Sequence, residues 1–133
     1  METQQIWANL AVADVMRTKN FYSALGFAQN GEATEELVSF FFSDKKFIIH
    51  FFNRSKIEQS TQTSFIVPAG ESEVMFSLSA KTAQEVSTWL DLAAKYGGTV
   101  FKQAARDAKG FFWGGFADPD GHRFNVLLME KGM

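Results

Sequence analysis

Histidine and cysteine, two residue types that often bind metal ions or transfer protons, are scarce in this sequence. The chain has two histidines and no cysteine, which excludes thiolate metal sites, disulfides and cysteine nucleophiles. Asp118 and Asp120 form a carboxylate pair, but both lie in the turn-forming segment 118–121, where such side chains usually accept hydrogen bonds from backbone N–H groups. His122 follows that turn and is predicted to have a structural role. His50 is the remaining candidate, and its apolar surroundings fit a ligand contact and simple packing equally well.

The composition limits the function classes further. Phenylalanine is frequent, with 15 residues beside three tryptophans and two tyrosines, and such rings either fill a core or line a pocket for a flat ligand. A net charge of −2 without a cluster of lysines and arginines argues against a nucleic-acid partner. Segment 1–5 is polar, unlike a signal peptide, and no apolar run approaches the roughly 20 residues that a membrane helix needs. We therefore expect a soluble cytoplasmic protein that has no membrane partner.

Hydrophobic periodicity predicts the order strand, helix, three strands, and this order occurs twice. In the first half the predicted elements lie at 6–12, 15–25, 27–30, 37–43 and 47–53, with a tight turn at 44–46. In the second half they lie at 74–79, 82–96, 99–105, 111–117 and 122–129. We interpret 1–133 as one domain in which a first module (1–53) and a second module (73–133) are joined by the linker 54–72, with one helical turn near the start of the linker.

Such a repeat places a helix on one face of each four-stranded sheet and leaves the other face to enclose a cavity. Side chains alternate between the two faces of a strand, so the pattern assigns residues to the helix or to the cavity. The fourth strand is ambiguous, and because its side with Ile49 and Phe51 is purely apolar we assign that side to the helix and His50 to the cavity. The residues predicted to contact a ligand are Trp7, Asn9, Phe42, His50, Phe52, Met75, Ser77, Trp113 and Asn125.

Two motifs near opposite ends of the chain carry a family resemblance. Segment 9–14 reads Asn-Leu-Ala-Val-Ala-Asp and leads into 21–27, Phe-Tyr-Ser-Ala-Leu-Gly-Phe, while 116–122 reads Phe-Ala-Asp-Pro-Asp-Gly-His. Together they resemble the glyoxalase/bleomycin-resistance/dioxygenase superfamily, also called vicinal oxygen chelate proteins. The most similar branch contains bacterial proteins labelled as predicted lactoylglutathione lyases. The resemblance implies an α+β fold in which two βαβββ modules form a curled mixed sheet around a cavity.

The resemblance also implies where a metal ion would bind. The metal enzymes of the family use His and Glu at four inward positions, which correspond here to Trp7, His50, Met75 and Asn125. Tryptophan offers only a donor N–H, methionine sulfur is soft, and a neutral amide does not offset the desolvation of a divalent cation as a carboxylate does. We therefore expect no metal ion and no other cofactor. The same loss removes the metal-bound carboxylate that serves as general base in the family's isomerase chemistry.

Three hypotheses for function follow. The leading one is a metal-independent member of this superfamily that binds a small, partly aromatic or apolar molecule, as the drug-resistance members do. An alternative is a divergent metal-dependent lactoylglutathione lyase or another lyase of the superfamily, which needs a carboxylate from Glu35, Glu36 or Glu130 in the cavity. A third is a non-catalytic interaction module with a filled cavity. A homodimer is expected under all three, because a partner chain often completes the cavity in this family and the sheet edges need cover.

Overall fold

The computed structural model describes residues 1–44 and 46–133, so Lys45 of the predicted turn 44–46 lies outside the described residues. The chain divides into two compact units, 1–66 and 67–133, and each is described by itself. The first unit contains β1 (Ala8–Val12), α1 (Val15–Ala24), β2 (Ala28–Gln29), β3 (Leu37–Phe42), β4 (Phe47–Asn53) and α2 (Arg54–Thr61). The second unit contains β5 (Met75–Ala80), α3 (Ala83–Lys95), β6 (Thr99–Arg106), β7 (Phe112–Ala117) and β8 (Arg123–Leu128).

Each unit is built on a four-stranded mixed sheet, and the two sheets have the same topology. The strand orders are β1-β4-β3-β2 and β5-β8-β7-β6. In each sheet the first pair is parallel and the other two pairs are antiparallel. A parallel pair needs a crossover connection, and α1 and α3 lie within that crossover. The predicted α+β fold of two βαβββ modules is therefore confirmed.

The helices α1 and α3 begin where the sequence predicts. The carboxylate of Asp14 accepts the backbone N–H of Arg17 at 3.1 Å, and the hydroxyl of Thr82 accepts that of Glu85 at 3.1 Å. Gly26 follows α1 with a φ of 93°, a left-handed conformation that glycine adopts without steric cost. None of the helices formed by the described residues is long and apolar enough to cross a membrane.

The core of the first unit lies between α1 and one face of its sheet. The ring of Phe51 stacks on Tyr22 with centroids 4.6 Å apart, and Phe40 lies 5.7 Å from the same ring. Ile49 and Phe51 are fully buried. The apolar side of β4 thus packs against the helix, as predicted, and His50 lies on the other face.

The core of the second unit has the same arrangement. Phe116 and Phe124, which are register partners on β7 and β8, stack with centroids 5.2 Å apart. Val86 and Leu90 of α3 are buried against this sheet. We call the face of each sheet that is turned away from α1 or α3 its distal face.

The sequence predicts helix α2 only in part. It predicts one helical turn near the start of the linker, and the structure has eight residues of helix there. The side chain of Asn53 accepts the backbone N–H of Lys56 at 3.3 Å and thereby caps the helix. Ile57 is the buried residue of α2. A single buried position gives almost no hydrophobic period, so the pattern in the sequence is too weak to predict the helix.

Candidate functional site

A row of polar side chains crosses the distal face of the first sheet. Asn9 on β1 and Ser39 on β3 are the register partners of His50 on β4, so all three share one face. The side-chain amide of Asn30 donates to the Ser39 hydroxyl at 3.2 Å and extends the row beyond β3. The sequence predicted Asn9 and His50 here. It gave no signal for Asn30 and Ser39, which reach the row through strand pairing.

Aromatic rings flank His50 on this face. Trp7 directly precedes β1, and its ring centroid lies 6.4 Å from that of His50 in an edge-to-face arrangement. Phe52, two residues along β4, lies 6.0 Å away, also edge to face. Trp7 remains 47% exposed, so much of its ring is available to another molecule. The structure therefore brings together three of the predicted ligand residues, Trp7, His50 and Phe52.

The imidazole of His50 is held in its neutral form. Its Nδ1 is buried and meets no hydrogen-bond partner among the described residues. Burial removes water from the ring and lowers the pKa of His50 below its usual value of 6.5. At pH 7 the ring is uncharged and offers one N–H donor and one nitrogen acceptor.

The distal face of the second sheet contains a second unpartnered group. Asn125 on β8 pairs in register with Ser77 on β5 and with Gly115 on β7. Its Oδ1 is buried and, in the part of the chain that the structure describes, has no hydrogen-bond partner. Met75 lies one row away, as the register partner of Arg123. The predicted residues Met75, Ser77 and Asn125 are thus neighbours on one face.

Trp113 also lies on this face, since its register partner Leu127 is two residues from Asn125 on β8. Its indole N–H donates to the carboxylate of Asp107 at 3.2 Å, and the ammonium of Lys102 lies 4.2 Å from its ring centroid. Because these polar groups engage both the edge and the face of the ring, Trp113 is more firmly held than Trp7.

The structure adds Phe101 to this face, a residue that sequence analysis did not select. The register of β6 against β7 shifts between Val100 and Lys102, and the ring of Phe101 packs over Gly115 so closely that a Cβ there would overlap it. The guanidinium carbon of Arg123 lies 4.7 Å from the same ring centroid. The pair Gly114-Gly115 inside a strand was an available signal, because glycine in a strand often marks a close approach.

Phe42 lies elsewhere. It faces α1, where its ring centroid is 5.9 Å from that of Tyr22, and it is 3% exposed. This corrects its predicted placement on the ligand-lining face. In the run 40–42 every residue is phenylalanine, so the alternation that separates the two faces of a strand is invisible in the sequence.

The four positions implied by the family's metal enzymes do not form a suitable donor set. Trp7 and His50 lie in the first unit and Met75 and Asn125 in the second, and imidazole is the one usual ligand for a hard or borderline divalent ion among them. Within residues 1–44 and 46–133, no three His, Cys, Asp or Glu side chains group closely enough to hold an ion.

The carboxylates considered as replacements are engaged or exposed at the surface. Glu36 lies 3.8 Å from the ammonium of Lys56, and Glu130 pairs with Arg106 at 2.7 Å. Glu35 is exposed in the segment before β3. Their positions give no support to a metal-bound general base. The chemistry that the distal face of the first sheet offers is ring stacking and hydrogen bonding from neutral groups.

Comparisons with known proteins agree with this architecture. The model of the Glyoxalase/Bleomycin resistance protein/Dioxygenase superfamily matches residues 4–126. A search of curated proteins finds no match.

Solved structures show the same fold. A hypothetical protein from S. aureus is 29% identical with a TM-score of 0.84, over 97% of this chain and 96% of that one. A glyoxalase-related enzyme from Fulvimarina pelagi is 19% identical with a TM-score of 0.81, over 96% and 89%. A bleomycin-binding protein complexed with bleomycin is 18% identical with a TM-score of 0.62, over 96% and 100%. Since the family model covers most of the sequence, the chain belongs to the glyoxalase/bleomycin resistance protein/dioxygenase superfamily.

Proposed function

We propose that this chain binds a small, partly aromatic molecule on the distal face of its first sheet and that it does so without a metal ion. The observation that carries the proposal is the state of His50, whose buried Nδ1 lacks a partner among the described residues while the rings of Trp7 and Phe52 stand on either side. A buried polar atom without a hydrogen bond costs about 1–3 kcal/mol. A ligand that supplies the missing bond recovers that cost.

The neighbouring side chains favour a ligand with a flat apolar part. The exposed ring of Trp7 offers a stacking surface, and the amide of Asn9 in the next strand offers donors and an acceptor. One structural relative is a bleomycin-binding protein solved with its drug, which supports the binding of a small molecule by this fold. The predicted homodimer, the cytoplasmic location and the enclosing cavity stay predictions.

The first test concerns the site formed by His50 and the rings of Trp7 and Phe52. We expect the neutral aromatic amide N-benzoylglycinamide to bind the full chain saturably in a calorimetric titration. Trp7→Leu and His50→Leu should each weaken this binding several-fold, because they remove the stacking surface and the unpartnered nitrogen. Trp89→Leu, in the helix α3, is the matched control and should bind like the wild type. Absence of saturable binding, or no effect of the two variants, would overturn the proposal.

The second test concerns the metal. After incubation with Mg²⁺, Mn²⁺, Ni²⁺ or Zn²⁺ and removal of the excess, elemental analysis should find far less than one ion per chain. Stoichiometric metal that disappears in a His50→Leu variant would contradict metal independence. EDTA-sensitive activity on the hemithioacetal of methylglyoxal and glutathione would instead establish the alternative, a divergent lactoylglutathione lyase.

A further inference from the structure

We propose that the distal face of the second sheet binds an organic carboxylate that also carries an N–H group, with Arg123 holding the carboxylate and Asn125 accepting the N–H. This inference goes beyond the proposed function, because it assigns a second ligand site on the other sheet.

Arg123 is a cation whose hydrogen-bonding capacity is unused. Its guanidinium lies against the ring of Phe101, and no hydrogen bond or ion pair to it is present among the described residues. Stacking occupies one face of the planar guanidinium. The N–H donors at its edge can still bind a carboxylate through two parallel hydrogen bonds. Arg106 shows the contrast, because it is already bonded to Glu130 and to the carbonyl of Gly110, each at 2.7 Å.

A second cation reinforces the positive character of this face. Lys102 is the register partner of Gly115, and its ammonium donates to the carbonyl of Trp113 at 3.0 Å. The nearby carboxylate of Asp107 already accepts the backbone N–H groups of Lys109 and Phe111 as well as the indole N–H. Arg123 and Lys102 thus bring two positive charges to this face beside the one negative charge of Asp107. This local excess of positive charge favours an anionic ligand.

Asn125 supplies the acceptor for the N–H group of the ligand. Its Oδ1 is an acceptor that, within the described residues, has no donor, and the terminal torsion of an asparagine turns readily enough to present it to a ligand. Arg123 and Asn125 are two residues apart on β8 and share a face, which separates their Cα atoms by about 6.5 Å. The long arginine side chain can lean toward Asn125, so one N-acylated amino acid can reach both groups with its carboxylate and its amide N–H.

The test compares two probes that differ at one end of the molecule. N-benzoylglycine has the ring, the N–H and the carboxylate, and N-benzoylglycinamide has a neutral carboxamide of similar size in place of the carboxylate. We expect calorimetry on the full chain to show at least tenfold tighter binding of the acid. Arg123→Gln should abolish that preference, and Arg123→Lys, which keeps the charge without the planar fork, should retain part of it. Arg17→Gln, an exposed arginine of α1, makes the same charge change and should leave the preference intact.

Two further probes test whether the N–H of the ligand contributes to binding and whether the site prefers a carboxylate to other anions. Benzoate lacks the N–H, so it should bind several-fold more weakly than N-benzoylglycine, and Asn125→Leu should remove that difference. Inorganic phosphate should compete poorly. Phosphate that competes as strongly as N-benzoylglycine would overturn the inference in favour of a general anion site.

The remaining outcomes separate this inference from the proposed function. Equal affinities for the acid and the amide would overturn the inference that the ligand is an anion, and the proposed function would still stand. Failure of both probes to bind would overturn both. Tight binding of the acid that is unchanged by Arg123→Gln would also overturn the inference, because the carboxylate would then be held elsewhere.

Discussion

His50 is the residue on which the proposed ligand site depends most. Its neighbours on the distal face are rings and neutral polar groups, namely Trp7, Phe52, Asn9 and Ser39. Nothing in that set stabilises a positive charge as a carboxylate would, so burial dominates and the neutral imidazole is favoured. A metal would also prefer the neutral ring, but the other family positions lack the donors that it needs.

At the residue scale we predict the titration of His50. NMR titration of its ring should give a midpoint below 6.5, because desolvation lowers the pKa of His50 in the folded state. The unfolded chain then binds more protons than the native one as the pH falls through the interval between the two pKa values, so the free energy of unfolding decreases there. Above the pKa of His50 in the unfolded chain, the ring is neutral in both states, and the free energy of unfolding keeps its higher value.

The control for this prediction is His50→Phe, which removes the titrating group and keeps a ring. Urea unfolding at pH 7 and at pH 5 should show a smaller loss of stability for the variant than for the wild type. A midpoint at or above 6.5 would show instead that an unrecognised acidic group faces the ring.

At the element scale, the strand β7 depends on two adjacent glycines that serve different faces. On the side of α3, a Cβ at Gly114 would lie 2.5 Å from Leu90 Cδ1, 3.1 Å from the carbonyl oxygen of Lys102 and 3.2 Å from the amide nitrogen of Ala104. On the distal side, a Cβ at Gly115 would meet the ring of Phe101. The first glycine permits close packing of β6 and the helix on β7, and the second admits Phe101 to the distal face.

This arrangement predicts unequal effects for two similar substitutions. Gly114→Ala should lower the free energy of unfolding by about 1–3 kcal/mol, because backbone atoms of β6 lie too near to give way easily. Gly115→Ala should cost less, since the ring of Phe101 can rotate aside, but it should change the amide chemical shifts of Arg123 and Asn125. Urea unfolding measures the first effect and NMR the second. A smaller loss for Gly114→Ala than for Gly115→Ala would contradict this account.

At the scale of the whole molecule, the chain is a repeat in which each unit has its own helix-to-sheet core. Phe51 is packed by Tyr22 and Phe40 in the first unit, and Phe124 by Phe76 and Phe116 in the second. Each of these contacts joins two rings of the same unit.

Separate cores predict additive effects of substitution. Phe51→Leu and Phe124→Leu should each reduce the free energy of unfolding by on the order of 1 kcal/mol, as for other swaps between large apolar side chains. The double variant should lose the sum of the two to within about 0.5 kcal/mol, because Phe51 packs on rings of the first unit and Phe124 on rings of the second. Urea unfolding of the single and double variants measures this. Within one unit, the pair Phe51→Leu and Phe40→Leu should deviate from additivity, since both rings contact Tyr22.

The sequence by itself determined the order of the elements, where the helices α1 and α3 begin, and the family. These depend on local properties, such as the period of apolar residues and the motifs at 9–14 and 116–122. It also determined that the family's metal positions hold unsuitable donors, because the chemistry of an indole or a thioether is the same wherever the side chain lies. Alternation along β4 was enough to place His50 on the distal face.

The tertiary structure alone decided which groups on those faces are buried, paired or free. In the run of three phenylalanines, the sequence does not show which rings face α1, and only the structure places Phe42 there. A register shift in β6 brings Phe101 over Gly115. The unpartnered Nδ1 of His50 and Oδ1 of Asn125 are likewise consequences of burial. Register and burial arise from contacts between residues far apart in the chain, so a pattern read along a single strand does not contain them.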